Sequence, residues 1–265
     1  MTRSLKGQRA LVTGSTAGIG YAIAEELARN GAEVIVNGRT QARVDEALRS
    51  LRGRLGTDAL LDGVAADVGT AEGTRALIER FPDVDILVNN AGIFAVQPFL
   101  ESSDEQWQRF YEVNVLSGVR LSRHYLAGML QRNCGRVIFI SSESGVQIPV
   151  EMVHYGMTKA AQIAIARGVA QLTAGTAVTV NSVLPGPTRS EGVSTFVADF
   201  AQKQNVSVAQ FEHDFFATAR PTSLLKRFIE PEEVARVVAF VASPDASAVN
   251  GAAVRAEGGV ILSAF

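Results

Sequence analysis

The sequence predicts an α/β protein built on a parallel sheet with helices on both faces. Short β-branched runs alternate with segments of helical periodicity along the chain, and most of these runs are continuously apolar. Parallel strands buried on both faces and joined by crossover helices produce this pattern. At 265 residues the chain fits one domain, 1–265, with a large core.

Each strand is expected where a β-branched run occurs, and each helix where apolar residues recur at helical spacing. The predicted strands are 9–13, 33–37, 59–65, 84–89, 136–141, 177–183 and 252–256. The predicted helices are about 18–30, 40–52, 71–80, 104–132, 156–174 and 231–242.

One irregular region, 186–230, separates the sixth strand from the last helix. It contains an unusual number of aromatic residues, namely Phe196, Phe200, Phe211, Phe215, Phe216 and Phe228. A solvated loop would not carry so many aromatic residues, so we predict that this region forms a helical lid over a substrate pocket. A packed subdomain or a subunit contact is the alternative.

Composition excludes several classes of function. The formal net charge is −2, which favours neither nucleic acid nor an anionic membrane. No apolar run reaches the roughly 18 to 20 residues of a membrane span, and the N-terminus lacks the apolar core of a signal peptide. Three histidines and scattered acids give no metal-ligand spacing. The single cysteine, Cys134, cannot form an internal disulfide and is expected to be a small packed residue. We therefore expect a soluble cytoplasmic protein without a metal site.

The first predicted strand ends in a glycine-rich segment, TGSTAGIG at 13–20. Gly14, Gly18 and Gly20 would allow a tight turn, a close approach to a pyrophosphate and close packing of helix on strand. The N-terminus of the following helix would offer free N–H groups to the anion. The segment therefore predicts a phosphate-binding loop, although its G-x-x-x-G-x-G spacing differs from the commonest dinucleotide pattern.

Two further loops end the fourth and fifth strands, NNAG at 89–92 and ISSESG at 140–145. Ligands of open α/β sheets bind outside the carboxyl ends of the strands. These loops and the glycine-rich loop are therefore expected to meet in one crevice.

The pair Tyr155 and Lys159 indicates proton-transfer chemistry. Four residues apart in a helix, the two side chains lie on one face. A neighbouring ammonium favours phenolate, so Lys159 is expected to lower the pKa of Tyr155 from its usual value near ~10 toward neutrality. Ser142, at the end of the fifth strand, would donate a hydrogen bond to a substrate oxygen.

Several motifs of the chain match one known family when they are taken together: TGSTAGIG, NNAG, Asn114, the set of Ser142, Tyr155 and Lys159, and PGPT at 185–188. In these motifs the chain resembles the classical short-chain dehydrogenases/reductases over essentially its full length. The resemblance implies a seven-stranded Rossmann-type doubly wound sheet, a nicotinamide dinucleotide and reversible hydride transfer between an alcohol and a carbonyl. It further implies a homotetramer built on the helices at 104–132 and 156–174 and the C-terminal segment.

The resemblance also implies roles for individual residues. Tyr155 would be the general acid/base, Ser142 would polarise the carbonyl, and Lys159 would bind the nicotinamide ribose. Asn114 would hold a water that links Lys159 to solvent. The expected cofactor contacts are Gly14, Ser15, Thr16, Gly18, Ile19, Gly20, Arg39, Asp67, Val68, Asn90, Ala91, Gly92, Tyr155, Lys159, Pro185, Gly186 and Thr188.

The end of the second strand, VNGRT at 36–40, favours NADP over NAD. An NAD site usually has an acid here, whereas this chain has Asn37, Gly38 and Arg39, and a guanidinium suits a 2′-phosphate. Aspartate placed at position 37 or 38 is expected to shift the preference toward NAD.

The substrate is less well defined than the cofactor. We expect a small-molecule carbonyl or alcohol in a mainly apolar pocket, bounded by Phe94, Ser142, Ser144, Gln147, Met152 and Pro187. A 3-oxoacyl thioester reductase is one alternative, although Asn133 and Thr176 stand where arginines would contact an acidic carrier and only Arg132 and Arg136 compensate. An NAD(H)-dependent sugar or polyol dehydrogenase and a catalytically silent nucleotide-binding regulator are the others.

Overall fold

A computed structural model describes residues 5–203 and 205–264 of the chain. The side chain of Phe196, one of the aromatic residues predicted to form the lid, lies outside the described part.

The sheet has seven parallel strands in the order β3-β2-β1-β4-β5-β6-β7. The strands are β1 Arg9–Val12, β2 Glu33–Gly38, β3 Leu61–Ala65, β4 Ile86–Asn89, β5 Arg136–Ile140, β6 Thr179–Pro185 and β7 Ala253–Ala256. The order reverses between β1 and β4, so a crevice opens at the carboxyl ends of these two strands. The predicted seven-stranded, doubly wound sheet is confirmed.

Helices cover both faces of this sheet. They are α1 Gly18–Arg29, α2 Gln41–Leu55, α3 Ala71–Arg80, α4 Asp104–Tyr111, α5 Ser117–Arg132, α6 Val153–Ala170, α7 Glu191–Lys203, α8 Val208–Thr218 and α9 Pro231–Ala242. The predicted helix at 104–132 is divided into α4 and α5 by a π-helical segment, Glu112–Leu116.

The core has two halves because successive strand residues point to opposite faces of the sheet. On one face, Val12 and Val36 pack with Ile23 of α1 and Val238 of α9. On the other, the neighbouring residue Leu11 belongs to a second cluster with side chains of α3, α5 and α6. Both faces are apolar, which explains why the strands are continuous hydrophobic runs.

The region 186–230 contains α7 and α8, and we call it the lid segment. Its helices share a small apolar cluster of their own, formed by Val197, Ala201, Phe211, Phe216 and Phe228. The aromatic residues are therefore largely engaged in packing. Among the described residues, no helix is both long enough and apolar enough to cross a membrane.

Candidate active site

The glycine-rich loop lies between the end of β1 and the start of α1. Gly14 and Gly18 adopt φ angles of 62° and 57°, in the left-handed region that favours glycine. A Cβ added at Gly20 would lie 2.4 Å from the side-chain nitrogen of Asn90, Nδ2, and 2.5 Å from the Gly14 carbonyl oxygen. The loop therefore needs glycine at these positions to keep its close turn.

Side chains from the neighbouring strands hold this loop in place. The Gly14 N–H donates to Asn37 Oδ1 at 3.2 Å, and Asn37 Nδ2 donates to the carbonyls of Val64 and Ala66 at 3.2 and 3.1 Å. From the loop after β4, Asn90 Nδ2 donates to the Gly14 carbonyl at 3.1 Å. The loop is thus fixed by the fold before any ligand binds.

Position 37 is therefore structural, which alters the expectation for aspartate at the end of β2. Aspartate at Asn37 could not donate the two hydrogen bonds to β3 and the residue after it. A Cβ at Gly38 would lie 2.5 Å from Thr16 Cγ2. Either substitution would disturb the glycine-rich loop and not simply exchange one cofactor for another. Arg39, which is exposed, is the position open to change.

A cavity of about 530 Å³ lies over this loop and continues across the ends of β2, β3 and β4. The predicted cofactor residues that line it are Gly14, Thr16, Gly18, Ile19, Gly20, Arg39, Asp67, Val68, Asn90, Ala91 and Gly92. Ser15 does not line it: its N–H donates to the Asn37 carbonyl at 2.9 Å and its hydroxyl to the Val12 carbonyl at 2.6 Å. Sequence reasoning missed Arg109, Glu112 and Glu191 in this wall.

A second cavity, of about 260 Å³, adjoins the first at the ends of β5 and β6. Tyr155, Lys159 and Ser142 all line it. Other predicted residues in its wall are Phe94, Ser144, Met152, Pro185, Gly186, Pro187 and Thr188, and the lid segment contributes Val193, Phe215, Arg220 and Phe228. Gln147 lies outside it, with its side-chain amide donating to Thr222 Oγ1 at 3.4 Å.

The side chain of Lys159 is buried, and its ammonium lies over the face of the Tyr155 ring. Its Nζ lies 5.5 Å from the centroid of the ring and donates to the Ile140 carbonyl at 2.9 Å and to Gln162 Oε1 at 3.1 Å. Burial lowers the pKa of Lys159 to about 8, and the Glu143 carboxylate opposes this shift. The ammonium therefore predominates at neutral pH and gives way to the neutral amine as the pH rises through about 8.

The pKa of Tyr155 moves in the opposite direction to the expected one. Burial raises it, and the Glu143 carboxylate raises it further, while a hydrogen bond with Ser142 and the Arg220 guanidinium lower it. Desolvation disfavours the phenolate more than nearby positive charge favours it. Tyr155 is thus held as a phenol that can donate a proton.

Ser142 has a charged neighbour that sequence reasoning missed. Its hydroxyl donates to the carboxylate of Glu143, and its Oγ accepts the Ser144 N–H at 3.1 Å. The other Glu143 oxygen lies 3.2 Å from Arg220 Nε, and Arg220 Nη1 lies 3.4 Å from Glu151. A polar corner of Glu143, Glu151 and Arg220 therefore interrupts the apolar wall that we expected.

Asn114 lies in the π-helical segment and lines neither cavity. Its Oδ1 accepts the Ile93 N–H at 2.8 Å, and its Nδ2 donates to the Ile93 carbonyl and to Thr158 Oγ1, both at 3.0 Å. Its backbone carbonyl accepts from Gln162 Nε2 at 2.7 Å. The predicted water between Asn114 and Lys159 thus competes with a side chain for this carbonyl.

His154 and Cys134 line neither cavity. His154 is buried against Phe110, with ring centroids 4.2 Å apart, and burial lowers its pKa. Cys134, expected to be packed, is exposed, and it directly follows Asn133, whose φ of 52° is left-handed. Within the described part of the chain, no group of three or more histidine, cysteine or acidic side chains is placed to hold a metal ion.

Comparison with known proteins gives a consistent result. The family model described as short chain dehydrogenase matches residues 8–200. The oxidoreductase YvaG of Bacillus subtilis (strain 168) is 48% identical over 265 residues, covering 100% of both chains. The 3-oxoacyl-[acyl-carrier-protein] reductase FabG of Aquifex aeolicus is 33% identical, with 98% of this chain and 100% of the relative covered. The structure of L-sorbose reductase from Gluconobacter frateurii, complexed with NADPH and L-sorbose, has a TM-score of 0.92 at 32% identity and covers 99% and 100% of the two chains.

Proposed function

The chain belongs to the short-chain dehydrogenase family, and from this premise we propose that it transfers hydride between NADP(H) and a small carbonyl or secondary-alcohol substrate. One observation carries the proposal. The larger and smaller cavities share Ile19, Asn90, Gly92, Ile93, Phe94 and Ser190, and the phenol, amine and hydroxyl of the predicted catalytic set all line the smaller one.

The residues of the larger cavity fit a dinucleotide. Gly14, Gly18 and Gly20 of its glycine-rich loop would let a pyrophosphate approach the backbone closely, and the N-terminus of α1 faces the same space. When bound there, the cofactor would supply or accept the hydride where the two cavities meet. Arg39 lines the cavity at the end of β2 and is the group that would meet a 2′-phosphate, which favours NADP.

In reduction, the chain's own groups would direct the proton. Tyr155 is the proposed general acid, because its raised pKa keeps the proton on the phenol until a developing alkoxide takes it. Ser142 would orient the carbonyl oxygen beside Tyr155. The Lys159 ammonium, held below the phenol ring, would stabilise the phenolate that forms.

For the substrate, the polar corner favours a carbonyl compound that also carries hydroxyl groups. Glu143 and Glu151 can accept hydrogen bonds from hydroxyls, while Phe215, Phe228 and Met152 would cover the carbon chain. The likeness to a sugar reductase agrees with this choice. A carrier-bound thioester is less well supported, since Arg132 pairs with Asp83 at 3.0 Å and Arg136 donates to the Gly135 and Ala177 carbonyls.

The same proposal includes assembly and location. A homotetramer is supported by apolar side chains left exposed near the C-terminus and after α6, with Leu262 78% and Leu172 66% exposed. A cytoplasmic location is supported by Cys134, an exposed free thiol that suits a reducing compartment.

The proposed function is tested by following NADPH absorbance with a panel of hydroxy ketones, simple ketones and 3-oxoacyl thioesters. We expect turnover with the hydroxy ketones to exceed turnover with the other two groups. Cofactor binding without turnover of any carbonyl would favour a nucleotide-binding regulator instead.

A further inference from the structure

Gln162 is a buried polar residue on the same face of α6 as Tyr155 and Lys159. Its side chain is 1% exposed and bridges two groups of the candidate site. Gln162 Oε1 accepts from Lys159 Nζ at 3.1 Å, and Gln162 Nε2 donates to the backbone carbonyl of Asn114 at 2.7 Å. The two ends of one amide thus connect the lysine to the π-helical segment.

The hydrogen bonds of Lys159 leave one direction open. An ammonium has three N–H donors, of which one goes to the Ile140 carbonyl and one to Gln162. Gly92, which lines both cavities, lies close to Nζ, and a Cβ added there would be 3.7 Å from it, in van der Waals contact. The amide of Gln162 therefore restricts how the ammonium can turn.

Both side-chain N–H donors of Asn114 are already engaged, one with the Ile93 carbonyl and one with Thr158 Oγ1. Its Oδ1 accepts from the Ile93 N–H, and its backbone carbonyl accepts from Gln162. A π-helical segment at this point is typical of functional sites, where it re-aims backbone groups. Here the Asn114 carbonyl accepts a hydrogen bond from the side chain of Gln162.

We propose that Gln162 is a positioning residue that holds the Lys159 ammonium toward the cofactor, in the place that a mobile water would otherwise take between Lys159 and Asn114. The inference rests on the proposed function for its catalytic meaning. A purely structural amide would also leave two buried groups without a partner when replaced, so the titration of Lys159 and kcat, and not stability, distinguish the positioning role.

The Gln162 oxygen accepts from the charged form of Lys159, so losing it disfavours that form. The titratable groups facing Lys159 are Tyr155 on the same helix and Glu143 after β5, and neither changes in the variants used below. A change in the titration of Lys159 can therefore be assigned to position 162.

The experiment follows the four lysines of the chain, Lys6, Lys159, Lys203 and Lys226, by NMR titration of isotope-labelled side chains without cofactor or substrate. Gln162→Met keeps the shape and removes both hydrogen bonds, and Gln162→Glu keeps an acceptor with added charge. Gln171→Met, at the exposed end of the same helix, is the matched control. We expect Lys159 to titrate below about 8 in Gln162→Met, above it in Gln162→Glu, and as in wild type in the control.

Kinetics then tests the positioning role. In Gln162→Met we expect kcat to fall roughly ten-fold and the alkaline limb of its pH profile to move to lower pH, with partial recovery in Gln162→Glu. Wild-type titration of Lys159 in both variants, or wild-type kcat with an altered titration, would overturn the proposal. If Gln162→Met does not fold, Gln162→Glu alone decides the titration. Absence of turnover in the wild type would refute the proposed function and leave the titration result valid.

Discussion

Arg220 Nε lies 3.2 Å from Glu143 Oε1, and this ion pair joins the lid segment to the end of β5. The side chains are only 11% and 5% exposed. Glu143 also accepts the hydroxyl proton of Ser142, so the position of the lid segment and the direction of a predicted catalytic hydroxyl depend on the same carboxylate.

Arg220→Ala should lower both stability and turnover. It leaves Glu143 as a buried, uncompensated charge, which costs on the order of 3 kcal/mol of the free energy of unfolding. Arg227→Ala is the matched control, because its pair with Glu233 is 48% and 33% exposed and should contribute less than about 1 kcal/mol. Denaturant unfolding and kcat/KM would be measured for both variants. Equal losses in the two would show that the buried pair has no special role.

Tyr155→Phe should abolish turnover and leave cofactor binding nearly unchanged. The ring that covers Lys159 remains, but the transferable proton is lost. Tyr111→Phe, at an exposed tyrosine, serves as the control. Steady-state kinetics and cofactor titration would be compared. Near-normal turnover in Tyr155→Phe would remove the proposed general acid.

Reductive kcat/KM should be flat below pH ~8 and fall above it. The Lys159 ammonium is needed to stabilise the phenolate, and with a pKa of about 8 it is lost as the pH rises through that value. The raised pKa of Tyr155 keeps the phenol protonated over the same range. A profile that stays flat to pH 10 would contradict this assignment.

The same shift predicts how stability depends on pH. The folded pKa of Lys159 lies below its unfolded value of about 10.4, so between these values the unfolded state binds more protons. The contribution of Lys159 to the free energy of unfolding should therefore increase as the pH rises from about 8 to 10.4. In Lys159→Met this contribution should vanish, and unfolding curves across that range would show whether it does.

Arg39→Ala should weaken NADPH binding roughly ten-fold or more and barely affect NADH. One charge-assisted contact to a 2′-phosphate is worth about 1.5 to 3 kcal/mol, and NADH lacks that phosphate. Arg49→Ala, an exposed arginine farther along α2, is the control. Fluorescence titrations with both cofactors decide the matter. Equal losses for the two cofactors, or a wild-type preference for NADH, would show that Arg39 does not contact the phosphate.

Light scattering should give a mass near four times 28.2 kDa if the proposed homotetramer forms. Replacing the exposed Leu262 by aspartate should shift the population toward smaller species, because a buried charge in the interface is costly. A monomer at working concentration in the wild type would refute the proposal.

Local patterns were sufficient to predict the sheet and the main loops around its crevice. Apolar runs identified the strands, because both faces of a parallel sheet are covered. The spacing of Tyr155 and Lys159 predicted a shared helix face, and the glycines at 14, 18 and 20 predicted the tight loop. Each of these features depends on residues that are close in sequence and follow the period of one element.

The place of Gln162 in the site could also have been predicted from the spacing of residues, but it was not. Gln162 follows Lys159 by three residues and Tyr155 by seven, so it lies on their face of α6. A polar residue on a face that packs inward was the available signal. What it binds could not be read from this spacing, because the Asn114 carbonyl lies 48 residues away in the chain.

The sequence by itself determined the fold class, the order of the elements and which loops surround the site, since these follow from local periodicity and turn chemistry. Only the tertiary structure showed that Arg220 pairs with Glu143 across 77 residues, that Asn37 holds the glycine-rich loop and that burial raises the pKa of Tyr155. Contacts between distant segments and the desolvation of a side chain depend on the packed arrangement of the whole chain, and no local pattern encodes them.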